Sequence, residues 1–243
     1  MNRGIYSVVN GMLASQQALD TVSNNLANSN TSGFKADQVL FNEQLERQLS
    51  TSNTNNVGML GSGPTAKKQY TDLNQGSLTT SNNPLDFALE GPGMFAVQSA
   101  SGQIQYTRSG AFAQDANGAL ITKDGKAVLG PDLKPIQLKP GPISVSASGQ
   151  ISAQDGTPAY ASIGVFQGSF AKNSDGFFQS ATPAIQAGVG TKTLLKQGSL
   201  EASNVNTISS MVQMISLQRS FDMAQKSIWA EDDMTQKLST ILS

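Results

Sequence analysis

The stretch EGPGMFA, residues 90–96, has the spacing of a binding loop. Gly91, Gly93 and Ala96 fit a loose Gly-x-Gly-x-x-Ala pattern, which holds a dinucleotide pyrophosphate when a helix follows and aims its N-terminus at the phosphates. Here Phe95 and Val97 continue in a strand pattern, so a hairpin is expected instead. Asp115 and Asn117 in DANGALITKDG begin a calcium-loop spacing, but Ala119 stands at the third ligand position and the stretch reads as a turn. GVGTKT, residues 188–193, lacks the Gly-Lys pair of a phosphate loop. Asp232 and Asp233 are neighbours on a helical pattern, about 100° apart around it, and read as solvated surface. With no cysteine and no histidine, thiol catalysis, zinc sites built on those residues and imidazole chemistry are excluded. No catalytic, cofactor-binding or metal-binding residue is expected.

The remaining polar cluster is amide-rich. TVSNNLANSNTSGFKAD, residues 21–37, carries Asn24, Asn25, Asn28 and Asn30, poor residues for a helix interior because their amides compete for backbone groups. Read locally, they stop and cap a helix, with Gly33 available for a positive-φ turn and Phe34 placed to bury against a neighbour or the β body.

The elements that position this cluster lie at the chain ends. Ile5, Val8, Met12, Ser15, Leu19, Val22 and Leu26 follow a 3-4 spacing with one polar member, a seam of coiled-coil type. Met214, Leu217, Phe221, Ala224, Ile228, Glu231, Thr235, Leu238 and Leu242 repeat the device, with Ile208, Val212 and Ile215 widening its start. From Val205 to Leu242 there is no Gly or Pro, so one long helix is expected, capped by Asn204, Asn206 or Thr207. A helix of roughly 55 Å (~1.5 Å per residue) outgrows a small domain, and part of it needs a partner.

Between the ends the pattern changes. Short alternating runs at 85–89, 103–108, 143–147 and 161–166 are separated by turn signals at 115–118, 123–125, 146–149, 154–156 and 173–176. The expected fold class is mixed β with terminal α-helices: an antiparallel β body flanked by N- and C-terminal helices that pair as a coiled-coil-like, tube-forming unit. The expected divisions are an N-terminal helix and Asn-rich turn at 1–35, a loop or linker at 36–69, the β body at 70–200, and a C-terminal helix at 201–243 packing with 1–35. Residues 50–63 in particular, polar and glycine-rich, read as a loop.

Net charge is −1, from 16 basic and 17 acidic residues, which gives no footprint for nucleic acid or an anionic membrane. No run approaches the roughly 20 apolar residues of a membrane span. The first residues lack a continuous apolar core, so no cleaved signal peptide is expected.

SNNLANSNTSGFK (Ser23 to Lys35) closely resembles the motif shared by flagellar rod and hook proteins, the axial proteins of the bacterial flagellum. LDFALEGPGMFAVQ (85–98), YTRSGAFAQDANGALIT (106–122) and QGSLEASNVNTISSMVQMISLQRSFDMAQKSI (197–228) are similar to further blocks of that family, in its order. The resemblance implies a non-enzymatic subunit of the basal-body rod, exported by the flagellar type III apparatus and polymerised helically to transmit torque. Its partners would be itself, other axial proteins of rod and hook, and the export apparatus, with no nucleic acid and no small-molecule substrate. The rod would span the periplasm. IYS near the start and MVQMISLQRSFDM look most like a proximal rod member; a distal rod or hook-like subunit is the alternative, and a secreted β-rich adhesin the alternative of another class. Assembly would rest on Asn24, Asn25, Leu26, Asn28, Gly33, Phe34, Ile5, Met12, Leu19, Val22, Asn204, Met214, Leu217, Phe221 and Ile228.

Overall fold

The computed structural model describes residues 3–46, 60–153, 158–173, 175–180, 185–186 and 193–241. The chain forms two compact units. A helical unit takes Met1–Ala27, Asp37–Asp72 and Asn206–Ser243, and a body takes Asn28–Ala36 and Leu73–Val205.

The helical unit contains α1 (Arg3–Ala27), α2 (Thr207–Ile241) and an antiparallel pair of strands, Asp37–Glu46 with Leu60–Thr71. α1 packs against α2 and against both strands, whereas α2 has α1 as its main neighbour. At 35 residues α2 is about 52 Å long. Its start is fixed by Asn206, whose side-chain oxygen accepts the Ser209 backbone N–H at 3.0 Å, an N-cap that satisfies one of the free amides of the first turn.

The body is built from antiparallel strands. Its largest sheet runs Phe170–Lys172, Phe178–Ser180, Ile104–Thr107, Met94–Gln98, Ala127–Val128, Leu120–Thr122, Phe112–Gln114, with Val165–Gln167 also paired to Met94–Gln98. Met94–Gln98 is apolar on both faces, and period two sends its side chains to two clusters. Phe95 and Val97 join Phe87, Leu89, Phe112, Leu120, Ile151 and Val165, while Met94 and Ala96 join Tyr106, Leu129, Phe166 and Phe178. The Phe95 and Phe112 rings meet edge to face at 5.2 Å. Two smaller pairings close the body's far end of sequence onto its beginning: Leu194–Gln197 with Phe87–Glu90, and Ser199–Glu201 with Leu78–Thr80.

Three expectations change. The stretch 36–69 is not a loop throughout, since both strands of the helical unit's pair lie mostly within it; residues 47–59 are outside the described ones. Leu60–Thr71 contains Gly61, Gly63 and Pro64, which argue against a strand in isolation, and its pairing with Asp37–Glu46 overrides that local preference. Residues 28–36 and 201–205 belong with the body and not with the helices. EGPGMFA is not a hairpin: Phe87–Glu90 pairs with Leu194–Gln197 while Met94–Gln98 pairs elsewhere, so Gly91–Gly93 links two sheets. DANGALITKDG does form hairpins, through Phe112–Gln114, Leu120–Thr122 and Ala127–Val128.

Candidate assembly surface

The residues expected to carry assembly fall into three settings. The first is the α2 seam. Met214, Leu217, Phe221, Ala224 and Ile228 are each half-buried, along the line the 3-4 spacing predicts. Ile208, Val212 and Ile215 do not widen that line. With Met211 they lie roughly on the opposite side of α2, at ~100° per residue, and are 77%, 63%, 52% and, for Met211, 48% exposed. Met223, Trp229 and Met234 are exposed as well. The side chains at 231, 235, 238 and 242 are outside the described ones.

The second setting is α1. Its most buried line is Ala14, Ala18, Thr21, Val22 and Asn25, and of the expected seam only Val22 lies on it. Val8, Met12, Ser15, Leu19 and Leu26 flank it, half-buried, and the Ile5 side chain is outside the described ones. A helix touching one partner needs a narrow seam; α1 touches α2 and two strands, so its buried face is wider and recentred. Small residues lead that face. Leu13 is 64% exposed.

The third setting is the amide-rich segment, and each of its residues has a separate task. Asn24 is exposed at the end of α1. Asn25 is buried, and its side-chain amide acts as a peptide group toward Asp37: Nδ2 donates to the Asp37 carbonyl at 2.7 Å and Oδ1 accepts the Asp37 N–H at 2.9 Å. This double bond pattern clamps the strand start onto α1 within the helical unit. Only an amide offers a donor and an acceptor in that fork; aspartate would present acceptors alone. Asn28 accepts at its carbonyl from the Thr31 N–H, 3.1 Å, and at its side chain from the Thr31 hydroxyl, 3.2 Å, so it shapes the turn after α1.

Gly33, Phe34 and Asn204 act within the body. Gly33 has φ +71°, and a Cβ there would lie 2.3 Å from the Ser109 nitrogen, so both the conformation and the close approach require glycine. Its N–H donates to the Glu201 carbonyl at 2.7 Å. Phe34 is half-buried with the Lys172 ammonium 4.0 Å from its ring centroid. Asn204 is not the helix cap. Its Oδ1 accepts the Ala36 N–H at 2.8 Å, its Nδ2 donates to the Asn74 carbonyl at 3.2 Å, and its own N–H donates to the Phe34 carbonyl at 3.4 Å.

Beside these residues lies a group that the spacing patterns do not reveal. Lys35, Arg108 and Glu201 are buried, at 2%, 5% and 1% exposure. Glu201 Oε1 accepts from Lys35 Nζ at 2.6 Å and from the Gly76 N–H at 3.0 Å; Oε2 accepts from Arg108 Nε at 2.5 Å. Two cations against one carboxylate leave a surplus positive charge, which backbone carbonyls offset. Lys35 also donates to Asn74 O at 2.6 Å, and Arg108 donates to Leu89 O at 3.0 Å, Gly91 O at 2.7 Å and Gly93 O. The glycine loop with dinucleotide-like spacing therefore turns carbonyls toward a guanidinium. Among the described residues no buried side-chain polar atom lacks a partner, which is the condition for buried charge to be tolerated. One signal in the sequence points to the group: each member sits inside a block of the flagellar resemblance, Lys35 ending GFK, Arg108 in YTRSG and Glu201 in SLEAS.

Comparison with known proteins agrees along the chain. Residues 5–35 match the family model described as flagella basal body rod protein, residues 88–153 the flagellar hook protein FlgE/F/G D1 domain, and residues 196–241 the flagellar basal body rod FlgEFG protein C-terminal region. The flagellar basal-body rod protein FlgF of Mesorhizobium japonicum is 33% identical over 232 residues, 91% of this chain and 90% of the relative. FlgG of Buchnera aphidicola subsp. Schizaphis graminum is 32% identical over 254 residues, 95% of this chain and 96% of the relative. FlgG of Bacillus subtilis is 31% identical over 263 residues, 98% of each, an alignment longer than the 243 residues of this chain.

Proposed function

The chain belongs to the flagellar basal-body rod protein family, and from that premise we propose that its two terminal helices form the polymerising part of a helical rod. It is a structural, non-enzymatic subunit of the basal body, as family membership supports. The observation that carries the assembly reading is the pair of opposed apolar faces on α2. One face, Met214 to Ile228, is half-covered in the single chain, and the other, Ile208 to Ile215, is open to solvent. A solvent-exposed run of Ile, Met, Val and Ile at i, i+3, i+4 and i+7 is a helix face that further subunits can cover. The proposal extends to export by the flagellar type III apparatus, contacts with other axial proteins and a position across the periplasm, readings that family membership supports.

A proximal place in the rod is the reading we favour. Its support is the similarity of the N-terminal IYS and of MVQMISLQRSFDM to a proximal rod member. The near-equal identity to FlgF and FlgG relatives keeps the distal place as the second reading.

Replacing Ile228 by Asp tests the reading. A carboxylate on the half-buried seam should abolish incorporation into basal bodies and motility, while the body keeps its thermal midpoint. Loss of the body's folding in that variant would show the helices to be part of its core. Tagging of the chain followed by tomography of basal bodies separates a proximal from a distal place.

A further inference from the structure

Segments 33–36 and 201–204 run side by side within the body. Gly33 bonds to Glu201 along the backbone, and both Phe34 and Ala36 bond to Asn204, so the two segments advance in the same direction. Lys35 of the first segment and Arg108, just after the strand Ile104–Thr107, then grip the Glu201 side chain. Behind this contact Ala202 N–H donates to Ser77 O at 2.8 Å, and Gly76 lies so near that a Cβ would be 2.1 Å from the Ala202 carbonyl oxygen. The backbone leaves the body for the helical unit directly after both segments, at 36–37 and 205–206.

We propose that the Lys35–Glu201–Arg108 group is a force-bearing clasp, which seals the strands between its two segments from tension carried along the chain. The argument is mechanical. Tension applied before Gly33 and after Asn204 pulls two parallel segments from opposite ends, so their bonds are loaded together in shear and not broken one after another. While the clasp holds, tension passes from one segment to the other through it, and the body strands between them carry none. Burial adds to the grip, because parting the ions exposes unpaired charge in a water-poor interior before solvent reaches it. Each ion comes from a different matched region: Lys35 from 5–35, Arg108 from 88–153 and Glu201 from 196–241. The inference rests on the rod reading only for the source of the tension.

The chain has no cysteine, so Asn30→Cys with Ile208→Cys gives unique handles at exposed positions for single-molecule pulling of the whole chain. Lys35 and Glu201 are 166 positions apart, so opening of the clasp with full extension of the chain it encloses, Asp37–Asp72 of the helical unit included, releases about 58 nm of contour at ~3.5 Å per residue. The expected trace is one such release with no smaller body steps before it. Smaller steps preceding it, at lower force, would overturn the proposal whatever the variants do. Lys35→Met and Glu201→Gln should lower the rupture force and keep the step length, whereas Lys196→Gln, which removes a half-exposed pair with Glu90, should leave the force unchanged. A rupture force in Lys35→Met equal to that of the parent would also overturn it. Because no assembly enters the measurement, failure of the rod reading in the Ile228→Asp experiment leaves this result standing.

Discussion

The two units use apolar residues in opposite ways. In the body, Phe87, Leu89, Phe95, Val97, Leu120, Leu129, Ile151 and Val165 are fully enclosed, and the only exposed large apolar side chains described are Leu73, Leu133, Ile185 and Leu194. In the helical unit the enclosed apolar side chains described are the small Ala14, Ala18 and Val22, while Leu13, Ile208, Met211, Val212, Ile215, Met223, Trp229 and Met234 face outward. The body has satisfied itself even to the point of burying and pairing three charges. Among its described side chains the helical unit encloses only small apolar ones and leaves larger ones exposed, the area we propose for other chains. One sequence thus holds a unit that encloses its large apolar side chains and a unit that exposes them.

The sharpest way to break this contrast is at the body's charged centre. Glu201→Ala leaves two buried cations without a carboxylate and should lower stability by about 3–5 kcal/mol. Thermal unfolding followed by circular dichroism reads this directly, and a loss below about 1 kcal/mol would mean the centre is wetter than its burial indicates. Gly33→Ala comes next. It forces a left-handed conformation on a residue with a Cβ and presses that atom on Ser109, with an expected loss of about 1–3 kcal/mol in the body's stability. An unchanged midpoint would show that segment 28–36 can leave the body freely. The smallest effect is expected in the helical unit. Val212→Ser, on the open face of α2, should change single-chain stability by no more than about 0.5 kcal/mol and still reduce incorporation into the rod. The single tryptophan, Trp229, lies on α2, so its fluorescence reports this unit separately from the body.

How far the sequence discloses this arrangement depends on the range of the interaction. α1 and α2 are legible because a 3-4 spacing is a local signal, reinforced in α2 by the absence of Gly and Pro, and the α2 seam from Met214 to Ile228 is half-buried as that spacing predicts. The α1 line shifts to Ala14, Ala18, Thr21 and Asn25 because the strands that share its burial are not visible from its own periodicity. The strands around 85–89, 104–107 and 143–145 are legible from alternation and turn residues. Leu60–Thr71 is hidden by its glycines and proline, since its pairing partner supplies what local propensity lacks. Asn25 announces itself as an unusual helix residue, but its bonds to Asp37 come from twelve positions away and replace the expected cap. Lys35, Arg108 and Glu201 look like surface charges one at a time. Their meaning lies in separations of 93 and 166 positions, which no local pattern encodes.

Those separations also set an order in time. A growing chain delivers Lys35 early and Glu201 166 positions later, and the strands Phe87–Glu90 and Leu78–Thr80 wait for Leu194–Gln197 and Ser199–Glu201 in the same way. Closing a loop of that length carries an entropy penalty of about 4.5 kcal/mol, which local contacts cannot offset in advance. Contacts so distant in sequence also slow folding. The body therefore cannot seal on its first hairpins alone. Its final closure is deferred until almost the whole chain has emerged.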